Sequence, residues 1–187
     1  MQLLAVLTTL SAIASTSFAA PLEERADPAN IGLYIDGTGW DINYLQTQRV
    51  SYANTSAYIG AVKYETYSEP LVTNALSGSA SDGLSFLSIH SSPTGWQPMY
   101  VVPRQSQPVG FGVPHGGVPQ GVRTTGFSFG PRGALLNNGF NKFYACQDSN
   151  LDSLHAWQIY WLAAGNPKGL TCKGPIKITS GDACQRY

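Results

Sequence analysis

Acid–base chemistry near neutrality would have to start from His90, His115 and His155, the only three histidines of this sequence. A Ser-His-Asp set can be assembled on paper because serines are plentiful, but geometry defines such a triad, and the serines are read here without a nucleophile elbow. The stretch Gly78-Ser79-Ala80-Ser81-Asp82-Gly83 reads as a turn. Glycoside cleavage needs two carboxylates at a fixed separation. The candidates are Asp36, Asp41, Glu65, Glu69, Asp82, Asp148, Asp152 and Asp182, and nothing singles out a pair. Glu65, His90, Arg104 and His115 could supply the acid, base and phosphate contacts of a secreted ribonuclease, but only as one combination among many. The histidines show no metal-ligand spacing and no C-x-x-C occurs, so neither a metal nor a cofactor is expected.

Aromatic side chains are the richer signal. Trp40, Trp96, Trp157 and Trp161, with ten tyrosines, offer flat apolar faces that could stack on sugar rings. Trp157 and Trp161 flank Ile159 at strand spacing and read as a core face. Trp40 and Trp96 follow Gly39 and Gly95 in turn-like contexts, and Tyr160 projects opposite Trp161. These three are the candidate carbohydrate contacts.

Charge narrows the partners. The 187 residues hold 11 Lys+Arg and 11 Asp+Glu, and the zero balance argues against nucleic acid and anionic membrane as partners. Only 12% of residues are charged, about half the ~25% usual in soluble domains. With 43% hydrophobic residues, the chain has enough apolar matter to fold.

Met1 to Ala20 has the pattern of a secretory signal: Leu3-Leu4-Ala5-Val6-Leu7 leads to Ser17-Phe18-Ala19, with cleavage expected after Ala19. Interruption by Thr8, Thr9, Ser11, Ser15, Thr16 and Ser17 argues against a membrane span. Residues 20–30 read either as a short pro-segment cut after Arg25 or as a solvated N-terminus. Asn54-Thr55-Ser56 is the one Asn-x-Ser/Thr sequon, and Asn54 is a candidate glycosylation site in a secreted chain. Cys146, Cys172 and Cys184 permit one disulfide within the chain, by any of three pairings.

The elements that must position these residues are strands. Twenty Gly, twelve Pro and abundant aromatics disfavour long helices, and no window shows helical spacing. Strand patterns cover Ile31–Asp36, Tyr58–Tyr64, Leu84–His90, Pro98–Val102, Lys142–Cys146, Ala156–Leu162 and Pro175–Thr179. Between Pro103 and Arg132 lie five Pro and seven Gly. Val109, Phe111, Val113, Val118, Val122, Phe127 and Phe129 punctuate that stretch, which predicts irregular strands and tight turns packed on the core rather than a linker. The expected fold is all-β, a single-domain sandwich or irregular barrel over residues 31–187.

Phe143-Tyr144-Ala145-Cys146, then Trp157-Gln158-Ile159-Tyr160-Trp161, then Cys172 and Cys184, resembles secreted fungal cell-wall proteins of the phialide-associated (PhiA) type. Gln97-Pro98-Met99-Tyr100-Val101, Gly126-Phe127-Ser128-Phe129 and Ile31–Ile35 with Tyr44 are similar to that family's other strands. The resemblance implies a protein of the fungal wall or secretome, linked to conidiation and stress protection, with no catalytic residues to carry over. The exposed aromatics, side-chain amides and low charge add the expectation of a non-enzymatic role with wall polysaccharide as a possible partner. Family members also carry cysteines in the N-terminal half, whereas residues 20–145 contain none here. The pairing preferred on this resemblance is Cys146–Cys172, leaving Cys184 unpaired. A secreted hydrolase acting on wall polysaccharide or RNA, and an effector or antigen acting on another organism, are the rival readings.

Overall fold

The computed structural model describes residues 30–36, 48–60, 62, 68–89 and 96–182. Its strands are β1 (Ile31–Asp36), β2 (Ser51–Ala53), β3 (Ser56–Ile59), β4 (Ser68–Pro70), β5 (Val72–Thr73), β6 (Ser85–Phe86), β7 (Gln97–Tyr100), β8 (Gln107–Pro108) and β9 (Gly110–Phe111). They continue as β10 (Phe127–Phe129), β11 (Leu135–Asn137), β12 (Phe143–Gln147), β13 (Trp157–Trp161), β14 (Thr171–Lys173) and β15 (Lys177–Asp182), with one helix, α1 (Ser149–Ser153). The fold is all-β. Among the described residues, thirteen strands join one antiparallel sheet, and β10 and β11 form a separate two-stranded ribbon.

The pairings close a circuit. β2 pairs β3, β3 pairs β9, β9 pairs β7, β7 pairs β6 and β6 pairs β5. Only Leu71 separates β5 from β4, and β4 pairs back onto β2. The result is an irregular barrel, the closed solution to the exposed-edge problem of short strands. Two longer strands pair onto this ring, each through one edge. One edge of β1 meets both residues 48–50 and the 71–73 segment: Val50 N–H donates to Leu33 O (2.8 Å), Ile35 N–H to Gln48 O (2.8 Å) and Leu33 N–H to Leu71 O (3.3 Å). One edge of β13 meets both β3 and β8: Trp157 lies opposite Ile59, and Tyr160 opposite Pro108. The other edges carry flaps, β15 on β1 and β12 with β14 on β13.

Alternation decides what each strand buries. Trp157, Ile159 and Trp161 point inward and are buried, while Gln158 and Tyr160 are only partly covered. Leu33, Ile35, Val50, Ile59, Met99, Val109, Phe143 and Ile178 meet them in one core. Tyr52 stacks on Phe86 at 4.0 Å between ring centroids, meets Phe111 edge-on, and satisfies its hydroxyl by donating to Gln97 Oε1 at 2.8 Å. The space left among Leu33, Val50, Met99, Val109, Phe143 and Ile159 is about 10 Å³, at the limit for a single water.

Several expectations need correction. The alternation read from Tyr58 to Tyr64 stops at Ile59, because Gly60 turns the chain at φ +92°. Tyr58 and Ile59, on opposite faces of β3, are both buried. A helix does exist. α1 is too short to show a period, and it forms because Asp148 caps it, accepting from Asn150 N–H (3.0 Å) and Leu151 N–H (2.9 Å). The stretch 103–132 supplies β8, β9 and β10 and buries Val109, Phe111 and Phe127, but Val113 stays exposed.

Cys146 and Cys172 sit directly opposite each other on β12 and β14 and are disulfide-bonded. The bridge closes a 26-residue separation that contains α1 and β13. Reduction, or Cys172→Ser, should lower unfolding free energy by about 3 kcal/mol in the chain-entropy account, measurable by urea titration with and without reductant. A second prediction concerns Gly60. A Cβ there would lie 2.5 Å from the His155 carbonyl oxygen, against a backbone that side chains rarely adopt. Gly60→Ala should cost roughly 2 kcal/mol or more and lower Tm by about 4–8 °C in a thermal melt.

Candidate functional site

The register that buries the tryptophans turns a different set of rings outward. On β7, Gln97 and Met99 are buried while Pro98 and Tyr100 are half-covered, so Trp96, two residues before Pro98, lies on their side and is 63% exposed. Elsewhere in the same sheet, Tyr144 of β12 faces Tyr160 of β13, which in turn faces Pro108 of β8. Tyr100, Tyr144 and Tyr160 are thus part-exposed on strands of one sheet, with Trp96 exposed just before β7.

Tyr100 and Tyr144 pack against glycine. Gly110 is paired with Tyr100 across β7 and β9, and a Cβ there would come within 2.3 Å of the Tyr100 ring. A Cβ on Gly174 would come within 2.9 Å of the Tyr144 ring. Each ring occupies the space that a side chain on the glycine would need. Tyr34 uses the same device over the paired Gly32 and Gly181, with the Arg49 guanidinium 5.8 Å from its ring centre.

Beside Tyr100 opens a cleft of about 830 Å³, within the range of small-ligand clefts. It is lined by Tyr100 and Gly110, by Thr55 and Ser56, by the 103–105 turn with β8, and by residues 119–123. Its polar side chains include Gln105, Gln107, Gln120, Arg104 and Arg123; among the described residues neither Asp nor Glu lines it. Arg123 is anchored twice. Its backbone exchanges hydrogen bonds with Val101 (2.8 and 3.0 Å), and its Nη1 donates to Oδ1 of the buried Asn137 (3.2 Å). Asn137 is itself held by donating to the Thr125 carbonyl at 2.9 Å.

The rim of the cleft is strained. β2 and β3 are joined by Asn54 and Thr55, at φ 44° and 58°, the two-residue hairpin loop that requires positive φ at both positions. Asn tolerates this region, whereas β-branched Thr rarely enters it. The Thr55 carbonyl accepts from Phe111 N–H at 2.9 Å, which ties the turn to β9. Asn54 is exposed, as a glycan acceptor must be.

Trp96 is exposed at the edge of the aromatic face, and Tyr160 sits half-buried on it, two of the three residues read as sugar contacts. Trp40, with Glu65, His90 and Cys184, lies outside the described residues. Of the ribonuclease set, Arg104 lines the cleft, while His115 is exposed in the turn after β9 and does not line it. Gly126-Phe127-Ser128-Phe129-Gly130 fits the G-x-S-x-G pattern of a nucleophile elbow, but Ser128 lies mid-strand in β10, opposite Leu136, not on a strand-to-helix turn. Asp82 closes the turn at residues 77–82, accepting from the Ser77 hydroxyl (2.7 Å) and from the N–H groups of Gly78 and Ser79. These bonds, the Ser77 hydroxyl foremost, hold its carboxyl below the usual range. No group of three or more His, Cys, Asp or Glu able to hold a metal occurs among the described residues.

Sequence reasoning passed over Tyr100, Gln120 and Arg123. Tyr100 was within reach, because the alternation Trp96, Pro98, Tyr100 puts it on the side of an exposed tryptophan. Gln120 and Arg123 come from a turn that carries no pattern of its own. No family model, no curated protein and no solved structure matches this chain.

Burial raises the Tyr160 hydroxyl above the ordinary tyrosine value, and the Asp148 carboxylate adds to the effect. Burial likewise raises Tyr52, with the Gln97 hydrogen bond opposing. A raised value favours the neutral phenol in the folded state, so this contribution is complete below about pH 10, where the unfolded chain ionises. It is lost as pH rises through the folded value. Tyr160→Phe should therefore raise the alkaline unfolding midpoint and remove one late-ionising phenol from an ultraviolet difference titration. At the rim, Thr55→Gly should stabilise the fold by about 1 kcal/mol through relief of the turn, read from urea midpoints.

Proposed function

We propose that this chain is a secreted, wall-associated protein of the fungal phialide type that contacts wall polysaccharide without cleaving it. The observation that carries the reading is the outward set of rings, Trp96, Tyr100, Tyr160 and Tyr144, on strands whose inward faces are fully occupied by core. Large aromatic rings kept at a surface need a use, and flat rings beside side-chain amides suit the apolar faces and hydroxyl edges of sugars. A 12% charged content and zero formal net charge fit contacts made without long-range attraction. The signal-like start, the sequon at Asn54 and the disulfide agree with an extracellular setting. In this reading the protein is a structural or protective component of the wall, and conidiation and stress protection follow from the family resemblance.

The test is incubation of the purified mature protein with insoluble chitin, β-glucan and washed fungal walls, assaying protein in the pellet and sugar in the supernatant. Protein should pellet with no sugar released. The double variant Trp96→Ala/Tyr160→Ala should reduce the bound fraction about tenfold, at roughly 0.7 kcal/mol per ring. Protein remaining in the supernatant with every solid sinks the reading. Released sugar replaces it with hydrolysis.

A further inference from the structure

The cleft beside Tyr100 has a chemistry that the open aromatic face lacks. In a chain with zero formal net charge, two arginines, Arg104 and Arg123, line one concavity, and among the described residues neither Asp nor Glu lines it. A concave site lined by one sign of charge focuses its field on a ligand of the other sign. Arg123 is held in place before any ligand arrives, through its backbone exchange with Val101 and its bond to buried Asn137. That bond uses one Nη1 donor of a fork that has five, and the fork geometry matches carboxylate and phosphate. Arg104 is exposed on the adjoining turn and can close on the same anion.

Two further features select a sugar over a bare anion. The Tyr100 ring packs against the bare backbone of Gly110 and adds an aromatic surface to the lining. Gln105, Gln107 and Gln120 add neutral amides that can both donate to and accept from hydroxyls. With two cationic residues among the described lining, the site lacks the run of phosphate contacts that nucleic-acid affinity depends on.

We infer that this cleft binds an anionic saccharide unit, one sugar bearing a carboxylate or a phosphate, with Arg104 and Arg123 on the anion, Tyr100 under the ring and the glutamines on its hydroxyls. The inference rests on the polysaccharide-contact reading and assigns the sugar class that the cleft takes. Pro108, a cleft residue that faces Tyr160 across β8 and β13, joins the two surfaces. One glycan can therefore lie on the outward rings and end in the cleft.

The experiment is calorimetric titration of the full mature protein at low and at high salt. The ligands are a galacturonate oligomer, its methyl-esterified counterpart of equal length, mannose 6-phosphate, mannose and inorganic polyphosphate. One acidic sugar, or both, should bind about tenfold more tightly than its neutral counterpart, and the arm that binds identifies carboxylate or phosphate as the anion. The preference should shrink at high salt. Arg104→Gln should abolish the preference and leave weak neutral-sugar binding. Gln120→Ala should weaken acidic and neutral ligands alike, by a few-fold.

Equal affinity for acidic and neutral partners overturns the inference, as does an unchanged preference in Arg104→Gln. Polyphosphate binding as tightly as the acidic sugars reduces the site to a charge effect and also overturns it. Because Arg104 is exposed and outside the core, its replacement leaves the fold intact, which the thermal melt verifies. If walls still pellet the protein while no acidic sugar is preferred, this inference fails and the wall-contact reading stands; if walls also fail to pellet it, both fall.

Discussion

Strand β13 is the constraint on which the remainder of the structure depends. Its three inward residues fill the core, and its edge is shared by two strands that do not pair with each other along that length, β3 and β8. A one-residue slip would turn Trp157, Ile159 and Trp161 to solvent and bring Gln158 and Tyr160 inside, so burial locks the register. With the register locked, Pro108 must lie beside Tyr160, Val109 N–H must reach the Ile159 carbonyl at 2.8 Å, and β9 must start where Tyr100 can cover it. Core packing thereby sets the outward face. The indole N–H groups of Trp157 and Trp161 are buried and meet no hydrogen-bond acceptor among the described residues, a cost offset by that much apolar area.

Glycine has a second role beyond turns. At Gly110, Gly174 and the Gly32–Gly181 pair, the missing side chain is the seat of a tyrosine ring. A ring on a larger residue would stand away from the sheet and keep more torsional freedom. Pressed on backbone, it loses that freedom at folding, so a ligand that uses the ring finds it already ordered. Composition alone gives no hint of this, since twenty glycines among 187 residues read simply as loop material.

How far the sequence spoke depended on the length scale of each feature. Ile31–Asp36 was legible to the residue because six apolar-rich positions end at Gly37, and Trp157, Ile159 and Trp161 announced a core face by period alone. β4, β5 and β14 were not legible. Two or three residues such as Val72-Thr73 cannot display a period, and they are strands only because distant partners pair with them. The disulfide pairing came from family resemblance, since spacing alone left three choices. The cleft was the least legible feature. Arg104 stood out as a candidate phosphate contact, yet its companions Tyr100, Gln120 and Arg123 are brought beside it by the β7–β9 pairing and the Val101–Arg123 bridge, which no local pattern encodes.

The stapled strand β14 also bears on how the molecule behaves when crowded. It ends one path of the large sheet, and an open edge of that kind can recruit a second chain into an intermolecular sheet that grows into fibres. Here the edge spans three residues, with the Lys173 charge exposed and Gly174-Pro175 directly after it. The bond from Cys172 to Cys146 keeps that short strand docked, so the longer β12 behind it stays capped. Loss of the bridge therefore threatens solubility at high concentration as well as folding stability, because peeling β14 away would bare the ladder of Ala145–Gln147 to any neighbouring strand.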